Sequence, residues 1–241
     1  MKRVQTSVHN RFLDSLSRRN RALIEQDLEA LEVESGDVLF KSGEDVLNIY
    51  FPGEGTVTSI LLDLQEGAAA EAAMIGAEGA IGGVVSEGGK PAYGRGVVQI
   101  GGTVLRLSTK ALEAAKERSR SLREHFARYA DCLIAQLLQS AVCNASHDLE
   151  ARLARWLLTT QDRADSAQLE LTQNFIAEML GVQRTYATRV IGALEKTGAI
   201  ERGRGWIRIV DRRALETHAC ECYRRVRRHY EAVLPGVYPQ G

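Results

Sequence analysis

Residues 171–211 constrain the chain more than any other stretch, because their apolar, glycine and arginine positions fit one local arrangement. Thr172 stands where a helix would begin, and its hydroxyl can satisfy a free backbone N–H there. Ile176, Met179 and Leu180 give that short helix an apolar face. Gly181 ends it, since glycine enters the left-handed region at a helix terminus at little cost. Val182 is expected to bury itself in the turn. A second helix follows over residues 183–196, with Ala187, Val190, Ile191 and Leu194 inward. Gly198 stops it. Two short strands, residues 200–201 and 206–210, then flank Arg202, Gly203, Arg204 and Gly205, which reads as a β-hairpin with a basic tip.

The outward residues of the second helix carry the chemistry. Arg184, Thr185, Thr188 and Arg189 share one face near its N-terminal end, the part of a recognition helix that reads base edges. Arginine can donate two hydrogen bonds to guanine O6 and N7, and threonine can bond to phosphate or offer its methyl to thymine. Arg202 and Arg204 at the hairpin tip are placed to reach phosphates, or else belong to a solvated hairpin with incidental charge. The candidate DNA-binding set is Thr172, Gln183, Arg184, Thr185, Tyr186, Thr188, Arg189, Arg202 and Arg204. A plain helical hairpin also has a glycine between its helices. It does not require an arginine-bearing face, a glycine stop and a basic hairpin in succession.

The rest of the chain supports this reading. Residues 11–31 read as helical, with Phe12, Leu16, Leu23, Leu28 and Leu31 at loose helical intervals. From Glu32 the apolar residues fall in short runs, broken by turn residues such as Gly36-Asp37, Gly43-Glu44 and Pro52-Gly53. Glycine is dense from Gly76 to Gly102, as expected for tight turns between the strands of a barrel or sandwich. Leu122, Phe126, Tyr129, Leu133, Leu137 and Ala141 then form one stripe on a long helix. Its partner is either the same helix of a second subunit or the chain's own β-domain. Residues 148–163 give another amphipathic helix with Leu149, Leu153, Trp156 and Leu157 inward, and residues 212–233 read as one basic helix. Net charge is zero overall. Residues 1–149 hold 16 basic and 20 acidic side chains against 15 and 11 in residues 150–241, which points the C-terminal part toward a polyanion. The polar residues 1–10 lack the apolar region of a secretory signal, and no apolar run nears the roughly 20 residues of a bilayer span. The expectation is a cytoplasmic location with no membrane partner.

Together these segments resemble the Crp/Fnr family of bacterial transcription regulators over nearly the whole chain. Residues 36–44 with Ile49, Tyr50 and Phe51 look like the opening strands of the cyclic-nucleotide-binding-type β-roll, and residues 76–82 like its central glycine segment. The resemblance implies an α+β chain: a β-roll (jelly roll) with an N-terminal helix over residues 1–118, a dimerisation helix over 119–145, and a winged helix-turn-helix with a C-terminal helix over 146–241. It implies a homodimer that binds a two-fold-related operator in double-stranded DNA and regulates transcription, with RNA polymerase a candidate further partner. Arg184 and Arg189 then occupy base-reading positions, Thr185 stands where the family often has glutamate, and Phe175 replaces a polar residue.

The resemblance weakens at the sensor. Cyclic-nucleotide-binding members carry a glutamate for the ribose where this chain has Gly83, and an Arg-Ser-Ala-like stretch where it has Gly94-Arg95-Gly96. Cyclic AMP is therefore not expected, no cofactor is predicted, and Arg95 reads as a surface residue. No cysteine precedes Cys132, which argues against the family's N-terminal iron–sulfur cluster, and His9 alone does not make a haem site. Cys220 and Cys222 beside His218 look metal-like. On one continuous helix, however, residues two apart point about 200° apart. No metal is expected on that ground, and Cys132, Cys143, Cys220 and Cys222 read as packing residues. The glycines of residues 76–89 do not lead into a phosphate loop, and the sequence shows no nucleophile–base pair, so an enzyme is not expected. The remaining alternative is a ligand-binding β-roll whose vestigial DNA domain acts through a protein partner.

Overall fold

The computed structural model describes residues 1–4, 7–65, 68–83 and 91–239. Gly88 and Gly89 of the glycine-dense segment lie outside the described residues. Strand β1 (Lys2–Arg3) is followed by single-turn helices α1 (Arg11–Asp14) and α2 (Arg18–Arg21). Then come β2 (Glu29–Val33), β3 (Val38–Phe40), β4 (Asn48–Pro52), β5 (Val57–Asp63), β6 (Ala69–Ile75), β7 (Ile81–Gly82), β8 (Arg95–Ile100) and β9 (Gly102–Ser108). They form two antiparallel sheets, in the orders β1-β2-β9-β4-β7 and β3-β8-β5-β6. Alternate side chains point inward, as the two-residue period of a strand requires. Leu31, Val33, Tyr50 and Val104 of the first sheet meet Leu39, Ala73, Ile75 and Val98 of the second in one buried cluster.

Residues 11–31 are not one helix. Asn10 and Ser17 each cap a separate turn, and Leu31 belongs to β2. Tertiary bonds hold the first turn: the Asn10 amide donates to the carbonyls of Pro52 (2.8 Å) and Gly79 (3.0 Å) while its oxygen accepts from the Leu13 N–H.

After β9 the chain turns helical, with α3 (Thr109–Arg118) and the long α4 (Arg120–Ser146). Ser108 and Ser119 cap them, each accepting from a backbone N–H three residues on. The apolar stripe of α4 is divided between two surfaces. Leu122, Phe126, Tyr129 and Cys132 are buried on the chain's own β-roll, with Tyr129 donating to the Ala80 carbonyl (2.8 Å). Further along, Ile134, Leu137, Leu138 and Val142 are exposed. The exposed seam thus runs along Ile134, Leu138, Ala141 and Val142 rather than continuing straight from Leu122.

The C-terminal unit contains α5 (Leu149–Ala164), β10 (Gln168–Leu169), α6 (Gln173–Leu180), α7 (Arg184–Lys196), β11 (Ile200–Gly203), β12 (Trp206–Ile209), α8 (Arg212–His218) and α9 (Cys222–Val233). The expected single helix over 212–233 is interrupted, because Ala219 is extended (ψ 143°) and α9 starts afresh. Helix α9 packs along α4, and its Tyr230, with Leu234 and Tyr238 just beyond it, joins the core beneath α1. Helices α5 and α6 dock on the second sheet, where Val57, Leu61, Met74 and Val97 share a core with Leu153, Trp156 and Met179. A fully buried ion pair, Arg163 Nε to Glu78 (2.8 Å), crosses the same junction.

Candidate nucleic-acid interface

Helices α6 and α7 form because each has one apolar face and a defined start and stop. Thr172 Oγ1 accepts from the Phe175 N–H (3.1 Å), capping α6. Gly181 closes it at φ +65°, a conformation that an L side chain enters only at a cost. Helix α7 runs from Arg184 behind an N-cap at Gln183 and presents buried Ala187, Val190, Ile191 and Leu194 to α5 and α6. Val182 sits half-buried in the turn against the same core. The hairpin forms, but its first strand runs two residues further than the pattern suggests: Gly203 pairs opposite Trp206, which leaves only Arg204-Gly205 at the tip. Strand β10 adds a third strand beside β12, with Gln168 opposite Arg208 and Leu169 opposite Ile207.

The nine candidate residues divide into two groups. Gln183, Arg184, Thr185, Tyr186 and Arg189 are all exposed in the first two turns of α7, and Arg204 is exposed at the hairpin tip. The Arg189 guanidinium lies 4.7 Å from the Tyr186 ring centroid, a cation–π contact that narrows its rotamers. The other three are engaged in contacts within the unit. Thr188 is half-buried and donates to Gln173 (2.8 Å), tying α7 to α6. Arg202 pairs with Glu195 (2.9 Å) and donates to the Thr188 carbonyl (3.4 Å), so it braces the hairpin against α7. Thr172 is exposed, with its hydroxyl oxygen engaged in the cap. Arg208 is an exposed cation outside the expected set. It stacks over Trp206 (5.1 Å) on the outward face of β12, and the alternation of that strand could have revealed it.

The sensor-side residues also have definite places. Arg95 is half-buried and not a free surface cation: it donates to Asp63 (2.8 Å) and to Glu178 of α6 (3.0 Å), joining the second sheet to the helix-turn-helix. At Gly83 a Cβ would meet Thr109 Cγ2 at 2.5 Å, so the backbone there has no room for a longer side chain. Because the helix breaks before α9, the 200° argument does not apply to Cys220 and Cys222. His218 turns away from them to Glu150 (3.1 Å).

A two-helix motif with an arginine-bearing outer helix, followed by a two-stranded hairpin wing and preceded by a β-roll and a long helix, defines a DNA-binding regulator of the winged helix-turn-helix class. Residues 151–218 match the Crp-like helix-turn-helix domain. No curated protein matches the sequence. Among solved structures, FixK2 from Bradyrhizobium japonicum is similar at TM-score 0.67 and 15% identity, over 80% of this chain and 98% of that one. A CRP-family transcriptional regulator from Thermus thermophilus is similar at TM-score 0.66 and 18% identity, over 78% and 96%. A second regulator from that organism, of the CRP/FNR family, is similar at TM-score 0.64 and 20% identity, over 79% and 98%. Residues 151–218 are thus a Crp-like helix-turn-helix domain, the chain as a whole shares the fold of these regulators, and no helix of its described residues is long and apolar enough to cross a membrane.

Proposed function

We propose that this regulator binds a two-fold-related DNA operator as a homodimer, inserting α7 of each subunit into successive major grooves. The observation that carries the reading is the exposed N-terminal end of α7, with Gln183, Arg184, Thr185, Tyr186 and Arg189, over the packed inner face of Ala187, Val190, Ile191 and Leu194. Arg184 and Arg189 read bases. Arg204 and Arg208 meet phosphates, while Thr188 and Arg202 set the pose of the helix. Dimerisation is supported by the exposed seam of α4, where Ile134, Leu138, Ala141 and Ala145 repeat at steps of four, three and four, the spacing of a two-helix coiled coil. On this reading residues 1–118 form the β-roll unit, 119–145 the dimerisation helix and 146–241 the DNA-binding unit.

A cyclic-nucleotide effector is not part of the proposal. Arg95 is held by two carboxylates, and Gly83 has no room for the ribose-binding glutamate.

Selection from a random duplex library by the purified protein tests the reading. An inverted repeat with half-sites about one DNA turn, roughly 34 Å, apart is expected. Binding should weaken steeply with salt as phosphate contacts displace counterions. Enrichment of single half-sites only would overturn the dimer, and no enrichment with or without cell extract would overturn DNA recognition.

A further inference from the structure

The three cysteines around the α8–α9 break do not pack like core residues. Cys143, Cys220 and Cys222 form a small buried cluster of their own, with only Ala151 against it. His147 completes it: one ligand atom from each of Cys143, His147, Cys220 and Cys222 lies within 4.8 Å of the other three. Cys143 lies in the last turn of α4 and His147, four residues on, caps its end, so the two share one helix face. Cys220 lies in the break and Cys222 opens α9, which lets two residues only two apart converge.

The spacing is that of a tetrahedral shell. Sulfurs about 2.3 Å from a central zinc ion at tetrahedral angles stand roughly 3.8 Å apart. Here Cys143 Sγ and Cys220 Sγ are 3.5 Å apart, and Cys222 Sγ is 3.7 Å from His147 Nδ1. The surroundings are those a metal centre needs. His147 presents Nδ1 to the cluster and turns Nε2 to Glu221 (3.2 Å), the carboxylate–histidine pairing that orients ligating imidazoles. Gln139 donates an N–H to Cys222 Sγ (3.0 Å). Three thiolates and a divalent ion leave one net negative charge, and the positive Arg155 acts on Cys143.

We propose that Cys143, His147, Cys220 and Cys222 form a structural metal site for a thiolate-preferring tetrahedral ion of the Zn²⁺ class. Soft sulfur ligands with one imidazole select such an ion over oxygen-seeking cations. Each thiol that still holds a proton releases it to solvent on binding, and no electron is transferred. The ion joins the end of the long helix α4 to the segment leading out of the wing. It therefore ties the C-terminal end of α4 to the start of α9.

The test uses the full-length protein, reduced and stripped with a chelator, then reloaded with Zn²⁺ or Co²⁺ and desalted. One zinc per chain by elemental analysis, and a cobalt spectrum with tetrahedral d–d bands and thiolate charge transfer, are expected. Bound zinc should shield three of the four thiols from alkylation, leaving Cys132 to react only on unfolding. Cys132→Ser should load normally, whereas Cys220→Ser and Cys222→Ser should lose the charge-transfer intensity in steps. Glu221→Gln should fold and load but release zinc to a chelator faster. The proposal is overturned if the reduced wild type retains no stoichiometric metal, if Cys220→Ser and Cys222→Ser leave the cobalt spectrum unchanged, or if a Cys143–Cys220 disulfide is the only state in which the cluster is protected.

Discussion

At the scale of single residues, the recognition face and the buried Arg163 make opposite demands on arginine. Arg184 and Arg189 are exposed on α7, so replacing either by alanine should leave folding intact. It should cost about 1–3 kcal/mol on the preferred operator and relax selection at one base position. Quantitative binding to the selected site and its single-base variants checks this, and wild-type affinity in both mutants would refute the assignment. Arg202→Ala should act differently. It frees Glu195 and the wing and should weaken binding on all sequences alike, because the guanidinium is held by Glu195 and the Thr188 carbonyl of α7. Arg163 has the reverse role. Its guanidinium and the Glu78 carboxylate are both fully buried, and Glu78 also accepts from the Gly76 N–H. Arg163→Met would strand a buried carboxylate and should lower stability by about 3–5 kcal/mol in denaturant unfolding. Adding Glu78→Gln should recover part of that loss.

At the scale of elements, α4 serves two surfaces at once. Its first half is anchored by Phe126 and Tyr129, which pack around Phe12 with ring centroids 5.0 and 4.9 Å away. Its second half carries the bare Ile134–Leu138 seam. Ile134→Glu with Leu138→Glu should therefore convert a dimer to a monomer without unfolding the chain, since neither side chain enters the subunit core. Sedimentation and far-UV circular dichroism would show it, and an unchanged sedimentation coefficient would remove α4 from the dimer interface. Binding to an inverted repeat should then fall to that of a single half-site.

At the scale of the whole molecule, the β-roll and the DNA-binding unit share a polar seam as well as an apolar one. Glu71 of β6 is buried between them, accepting from Ser59 (2.7 Å), from Gln99 and from Trp156 Nε1 of α5 (3.1 Å). Burial lifts its carboxyl above the ordinary carboxylate value, outweighing those hydrogen bonds and the charge of Arg155. A raised acid binds its proton more tightly folded than unfolded. Its contribution to stability is complete below the unfolded value and is lost as pH rises through the folded one. The melting temperature should thus fall across that window in the wild type and fall less in Glu71→Gln. Parallel profiles would show that Glu71 does not titrate on unfolding. Arg95 supplies the other polar tie, and Arg95→Ala should speed proteolysis at the junction by releasing Glu178 of α6.

The sequence by itself determined the local units: the capped α6, the glycine turn at Gly181, the inner face of α7, the wing and the extent of α4. Each depends on periodicity and on residues within a few positions of one another, where backbone geometry leaves little choice. What only the tertiary structure decided lies between residues far apart. Arg202 was legible as a tip cation, but its pairing with Glu195 needed the wing folded onto α7. Arg95 read as a surface residue until Glu178, 83 positions away, was brought beside it. The helix expected over 212–233 breaks at Ala219, and that break, invisible to residue spacing, carries Cys220 to Cys143 across 77 positions of chain. Periodicity reports which face of an element is apolar. Which partner that face meets, and where a helix must yield to meet it, is set by packing of the whole chain.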